Sequence, residues 1–539
     1  MPLFLFKQSL SHAVRWGLLA LLGGLAVSAA AAVRLPHLFS DGVVIQREKP
    51  AAVWGWADPG EKVTVRFAGQ QVTGIASAEG AWKVQLKPLR ASAKPRELTV
   101  TAANSTVVVQ NVLVGDVWLC SGDFGVYWAM YGCANHPREI AAANYPQIRL
   151  LKVECKSSNT PLTDFEGLWK VCSPESVVDA SGLAYFFGRA LWQKLHVPIG
   201  LIDASYRYSP IQSWITPEGY HLIPELKLPR EKMDSWDSTT PVGAQAYTAT
   251  IAKVEQWLPL AERAFQEHQP IPTQPVPPAP LPPIDSNYWS LGELSNLYHG
   301  MIAPLTPFAI RGVVWSMGES GGGLEWNNYH AYMRGLVDGW RKQWGQGNFP
   351  VYFELLPSVG KVSDVPGAGG AWAKLRDDQM KGLTIPNTGM AVTFDVSDYE
   401  SDNRNRVDAG ERLARWALAG EYHQKIECSG PLYRSQRIEG DHVIISFDHI
   451  GRGLMVGAKD GLAPVREVKD GVPAKFAVAG ADKKWYKADA QIVGKTVVVR
   501  SEKVPVPVAV RYAFADNPSD SNLYNRDGLP AAPFRTDAW

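Results

Sequence analysis

Cysteine is scarce in this chain, with five among 539 residues (Cys120, Cys133, Cys155, Cys172 and Cys428). No C-x-x-C pair and no clustered Cys/His spacing occurs, so the sequence offers no recognisable structural metal motif. The odd count leaves at least one thiol unpaired, and Cys133 with Cys155 or with Cys172 stays an open pairing. Charge of one sign is also missing: 54 Lys and Arg stand against 53 Asp and Glu, which argues against a general nucleic-acid or membrane-surface role. Past the first thirty residues no apolar run approaches the length of a membrane span. Histidine is absent from the whole stretch between His330 and His423.

Tryptophan and tyrosine are plentiful, at 20 and 19. Their faces stack well on sugar rings, although most serve a core. The amino terminus carries Lys7 and Arg15 ahead of an apolar run over 16–27, then Ala30-Ala-Ala32. This is the layout of a secretory signal, so residues 1–32 are expected to be removed and the mature protein to be periplasmic or secreted, with no membrane insertion after removal.

A chain of 539 residues exceeds one core. Residues 33–111 read as a small β domain, with strands expected at 43–46, 52–56, 62–67, 82–86 and 97–101 and a turn at Asp58-Pro-Gly60. Residues 112–427 alternate strand and helix patterns, as in a parallel sheet. They are interrupted at about 216–296 by an insertion holding a helix over 246–266 and a stiff Pro-rich tract over 269–283, read as a spacer in preference to a lid. Strand patterns return over 428–539 as a carboxy-terminal β domain. Nothing in the sequence sets an oligomeric state.

The junction from 114 to 128 organises the rest: a buried strand passes through Ser121-Gly122 into a helix, the place where an α/β domain presents chemistry. Cys120-Ser-Gly122 and Trp128 match the flanks of the first block of the SGNH-type sialate O-acetylesterases, roughly C-S-G-Q-S-N-M-E-W. Leu35-Pro-His-Leu-Phe-Ser-Asp41, Val53-Trp-Gly-Trp-Ala-Asp-Pro-Gly60 and the ending through Asn522-Leu-Tyr-Asn525 to Pro533-Phe-Arg-Thr-Asp537 also resemble that family. The resemblance implies an SGNH-hydrolase-like three-layer parallel-sheet domain flanked by β-sandwich-like domains, and a carbohydrate ligand.

The catalytic blocks depart from the pattern. Phe124 stands where the family has its nucleophilic serine. In the second block, Asp203-Ala-Ser-Tyr-Arg-Tyr-Ser-Pro-Ile-Gln-Ser-Trp214, Arg207 and Tyr208 replace a glycine pair of which one member would offer an oxyanion N–H. In Trp315-Ser-Met-Gly-Glu-Ser-Gly321, Glu319 and Ser320 persist but Gly321 replaces an asparagine. In Glu400-Ser-Asp-Asn-Arg-Asn-Arg406 the histidine position falls on Asp402, or on Asn403 with one residue of slippage.

What the blocks gain is carboxylate and arginine. Asp123 or Glu319 as acid/base partner and Asp402 as the other carboxylate suit glycosidic cleavage. Arg207, with Tyr206, Tyr208, Phe124 and Trp128, would anchor an acidic sugar. The expectation is therefore a glycoside hydrolase acting on an oligosaccharide or polysaccharide, without cofactor. A non-catalytic carbohydrate-binding relative is one alternative. An O-acetylesterase with a relocated nucleophile, Ser121 or Ser320, is the other. Simpler roles compete: Asp123 as a helix cap, Asp402 paired to Arg404 or Arg406, Glu319 as a structural residue. A hard cation held by the three carboxylates is the weakest option, since no calcium loop accompanies them.

Overall fold

The computed structural model describes residues 32–276, 293–317, 328–396 and 405–539. The leader, residues 277–283 of the Pro-rich tract, Glu319 with Ser320, and Asp402 lie outside the described residues.

The longest strand, β7 (Thr106–Gly122), ties the molecule together. Its first half pairs antiparallel with β6 (Ser92–Thr101), which continues to β3 (Lys62–Phe67) and β4 (Gln70–Ile75). β1 (Val44–Gln46) pairs parallel with residues 113–115 of β7. β2 (Ala51–Trp56) and β5 (Ala81–Leu86) form a separate antiparallel pair. The second half of β7 is the centre of a larger sheet. Its order is β13 (Thr388–Ala391), β12 (Val351–Glu354), β11 (Gly312–Ser316), β7, β10 (Ile199–Ser205), β8 (Tyr145–Lys152) and β9 (Trp169–Cys172). All these pairs are parallel except β8 with β9.

From Val112 onward β7 is a near-continuous apolar run whose successive side chains point to opposite faces, so this half is buried on both. Val117 and Leu119 enter one core, Trp118 and Cys120 the other. Each large side chain so buried contributes roughly 1.5–3 kcal/mol. Helices cover both faces: α2 (Gly182–Leu195) and α6 (Arg406–Gly420) share the Trp118 core, and α4 (Tyr329–Trp344) the Val117 core. The parallel sheet covered by helices agrees with the α/β expectation.

The helix expected over 246–266 begins five residues earlier, as α3 (Pro241–Gln266). Thr240 is its N-cap, its hydroxyl accepting the Gly243 N–H at 3.0 Å, and Pro241 opens the first turn. Beyond α6, antiparallel strands β14 (Leu432–Glu439) and β15 (His442–Asp448) open the carboxy-terminal β region. None of the five cysteines, all among the described residues, is in a disulfide, so neither open pairing forms. Among the described residues no helix is long and apolar enough to cross a membrane.

Candidate active site

The carboxyl ends of β7, β10, β11 and β12 converge at one edge of the parallel sheet. β7 ends in Gly122 at φ +119°, and a Cβ there would lie 2.2 Å from the Ser316 carbonyl oxygen. Only glycine meets both demands, and the chain turns at once into the short helix α1 (Phe124–Tyr127). The Asp123 N–H donates to the Ser316 carbonyl at 2.8 Å, and the Tyr206 N–H to the Gly122 carbonyl at 2.9 Å, joining three strand ends. Beneath the turn, Ser316 Oγ donates to Glu354 Oε2 at 2.7 Å, and Arg406 Nη1 reaches Glu354 Oε1 at 2.9 Å. Both ionic groups are buried.

Asp123 is fully buried. Its carbonyl accepts the Val126 and Tyr127 N–H groups, but its carboxylate does not cap α1. Oδ1 instead accepts the Tyr208 N–H at 2.6 Å. Tyr208 has φ +60°, a left-handed conformation that its glycine counterpart would adopt without strain. Of the Arg207 and Tyr208 amides, one of which the family resemblance offers to an oxyanion, the latter is thus committed to an internal carboxylate. Phe124 packs edge-on against Tyr208, ring centroids 4.7 Å apart, and fills the position assigned to the nucleophile. Ser121 is buried with its hydroxyl donating to the Ala204 carbonyl at 2.6 Å, which removes it as a relocated nucleophile.

Beside α1 opens a cleft of about 580 Å³. Phe124, Tyr127, Trp128, Lys152, Glu154, Asp203 and Arg207 are among its lining residues; no histidine is, among the described residues. The Arg207 guanidinium lies 5.8 Å from the Tyr127 ring centre and 5.9 Å from that of Tyr208, and Lys152 Nζ lies 5.4 Å from the Tyr127 ring. Tyr206 packs on Tyr127 at 5.7 Å. Trp128 is fixed by its indole N–H, which donates to the Gly132 carbonyl at 2.7 Å. The structure therefore gathers Asp123, Phe124, Trp128, Tyr206, Arg207 and Tyr208 at one edge, with Phe124, Trp128 and Arg207 facing the cleft.

Asp203 was not singled out by the sequence, although it opens the second block. Burial pushes its carboxyl up to about 6, against the opposing pull of the Ser205 hydroxyl, which donates to Oδ1 at 2.5 Å, and of Lys152. The readable signal was an Asp at the carboxyl end of a wholly apolar strand, where a charge is costly to bury.

No family model matches the chain. It is 28% identical over 466 residues to the sialate O-acetylesterase of Rattus norvegicus, covering 77% of this chain and 79% of that protein. The human sialate O-acetylesterase is 26% identical over 550 residues, covering 94% of this chain and 93% of that one. A crystal structure of a carbohydrate acetylesterase from Xanthomonas citri superposes with a TM-score of 0.76 at 30% identity, covering 94% of this chain and all of that one.

These proteins are named as esterases, which overturns the preference for a glycoside hydrolase. Paired carboxylates were an ambiguous signal, because a carboxylate at a strand edge also serves backbone amides, as Asp123 does for Tyr208.

Proposed function

The chain belongs to the sialate O-acetylesterase family, and from that premise we propose that it removes acetyl groups from an acidic glycan held in the cleft beside α1. One observation carries the reading: a buried carboxyl, Asp203, held near neutrality in the wall of a cleft that also presents Arg207 and Lys152. A base poised near the working pH is what ester hydrolysis needs when, among the described residues, no serine–histidine pair lines the cleft.

Phe124 has no atom that can attack and the Ser121 hydroxyl is held by the Ala204 carbonyl, so in this reading the attacking oxygen is that of water. Asp203 takes a proton from the water as its oxygen bonds to the acetyl carbonyl carbon. The ammonium of Lys152 meets the charge that develops on the carbonyl oxygen. Collapse breaks the bond to the sugar oxygen, which recovers the proton from Asp203, releasing acetate and the sugar hydroxyl. Arg207 forks onto the carboxylate of a sialate-type sugar, with Tyr127 and Trp128 offering ring faces. The leader-like residues 1–32 support an exported protein.

A second reading, binding of the acetylated glycan without turnover, is favoured by Phe124 at the nucleophile's position and by the Tyr208 amide committed to Asp123. An O-acetylated sialoside and its de-acetylated counterpart separate the two. Acetate release, with KM raised roughly tenfold by Arg207→Ala, is the expected result. Saturable binding of the acetylated sugar with no acetate formed decides for the second reading. Binding of neither sugar overturns both.

A further inference from the structure

Away from the cleft, the fold brings together a donor set that sequence spacing conceals. Glu427 and Cys428 lie on the connector between α6 and β14, and His449 follows directly on β15. One ligand atom from each, a carboxylate oxygen, a thiol sulfur and an imidazole nitrogen, all lie within 4.8 Å of one another. We propose that Glu427, Cys428 and His449 bind a borderline-soft divalent transition metal such as zinc, clipping the connector after α6 to the carboxy-terminal β region.

The donor chemistry selects the ion. Thiolate and imidazole are poor ligands for calcium and magnesium, which prefer oxygen, and good ones for zinc. Three protein ligands leave a fourth tetrahedral position for water, and the side chains of Glu427 (18% exposed) and His449 (33%) leave that side open to solvent. Ligand atoms around zinc stand roughly 3–4 Å apart, so the widest pair closes by up to about 1–2 Å.

Groups outside the set hold it in place. The buried Asn525 amide donates to the Ser429 and His449 carbonyls, each at 2.9 Å, pinning the backbone on both sides. The Trp416 ring lies 5.8 Å from that of His449. His449 Nδ1 shares a hydrogen bond with Glu427 Oε1 at 2.8 Å, which already sets two of the three side chains facing each other. Of the nearby cations Arg415, Lys425 and Arg452, the last is already paired to Asp527 at 3.0 Å.

Cobalt(II) is the probe, titrated into full-length protein stripped with a chelator. One equivalent should bind with a near-ultraviolet sulfur-to-cobalt charge-transfer band, and zinc should bleach it. Cys428→Ser should abolish the band, and His449→Ala should weaken cobalt binding at least tenfold. Zinc should raise the melting temperature of the native protein and not that of Cys428→Ser. Absence of the band in the native protein, or its survival in Cys428→Ser, would overturn the assignment.

Discussion

At the scale of the residue, Asp203 ties stability to activity. Its folded pKa, about 6, lies above the roughly 3.9 of an unfolded aspartate. The folded state therefore holds the proton more tightly, and stability falls as pH rises from about 4 to about 6. Asp203→Asn removes that loss. The variant should be more stable than the native protein at pH 7, on the order of 1–3 kcal/mol by denaturant titration, and nearly unchanged at pH 4. A variant that is less stable at pH 7 would show that the carboxylate is instead a favourable part of the fold. Phe124 was legible as a departure from the family's first block because it interrupts a recognisable pattern. Asp203 was not, because its chemistry comes from burial among β8, β10 and the cleft wall, which one strand's sequence does not display.

At the scale of the element, the turn from β7 into α1 rests on close approach of backbones. A Cβ on Gly125 would sit 1.7 Å from Ser316 Oγ and 2.6 Å from Glu354 Oε2. Gly125→Ala thus forces Ser316 away from Glu354 and disturbs the buried Glu354–Arg406 pair. A cost of about 3–5 kcal/mol is expected, the scale of breaking a buried ion pair, read by thermal or denaturant unfolding. A change below 1 kcal/mol would mean that the turn has slack. Strands and helices with clear period-2 or helical spacing were readable in advance; Lys62–Phe67 was placed to the residue. The Ser316–Glu354–Arg406 network was not, since its members are 38 and 52 positions apart and meet only when β11, β12 and α6 assemble.

At the scale of the whole molecule, β7 belongs both to the amino-terminal strands and to the parallel sheet, and Asp116 marks the crossing. Arg47 and Arg311 both bind its carboxylate, at 3.0 and 2.8 Å. Burial alone would raise this carboxyl, but the two arginines overcome it and hold it below the ordinary range. The stability it contributes is present above pH 4 and lost as pH falls through its folded pKa. Acid unfolding below pH 4 should therefore melt the amino-terminal strands and the parallel sheet together, and Asp116→Asn should shift the acid midpoint upward. Two separate acid transitions would contradict the shared-strand account. Sequence patterning identified strands on either side of residue 111 but could not reveal that one strand runs through it.

The central claim is that the cleft of this family member hydrolyses an acetyl ester through Asp203. The pH dependence of acetate release from an O-acetylated sialoside tests it most directly, with native protein and Asp203→Asn measured side by side. Release by the native protein should rise tenfold per pH unit below about 6 and level off above it, and the variant should lose at least a hundredfold at pH 7. Release that is undiminished in the variant, or that shows no inflection near pH 6, would contradict the assignment.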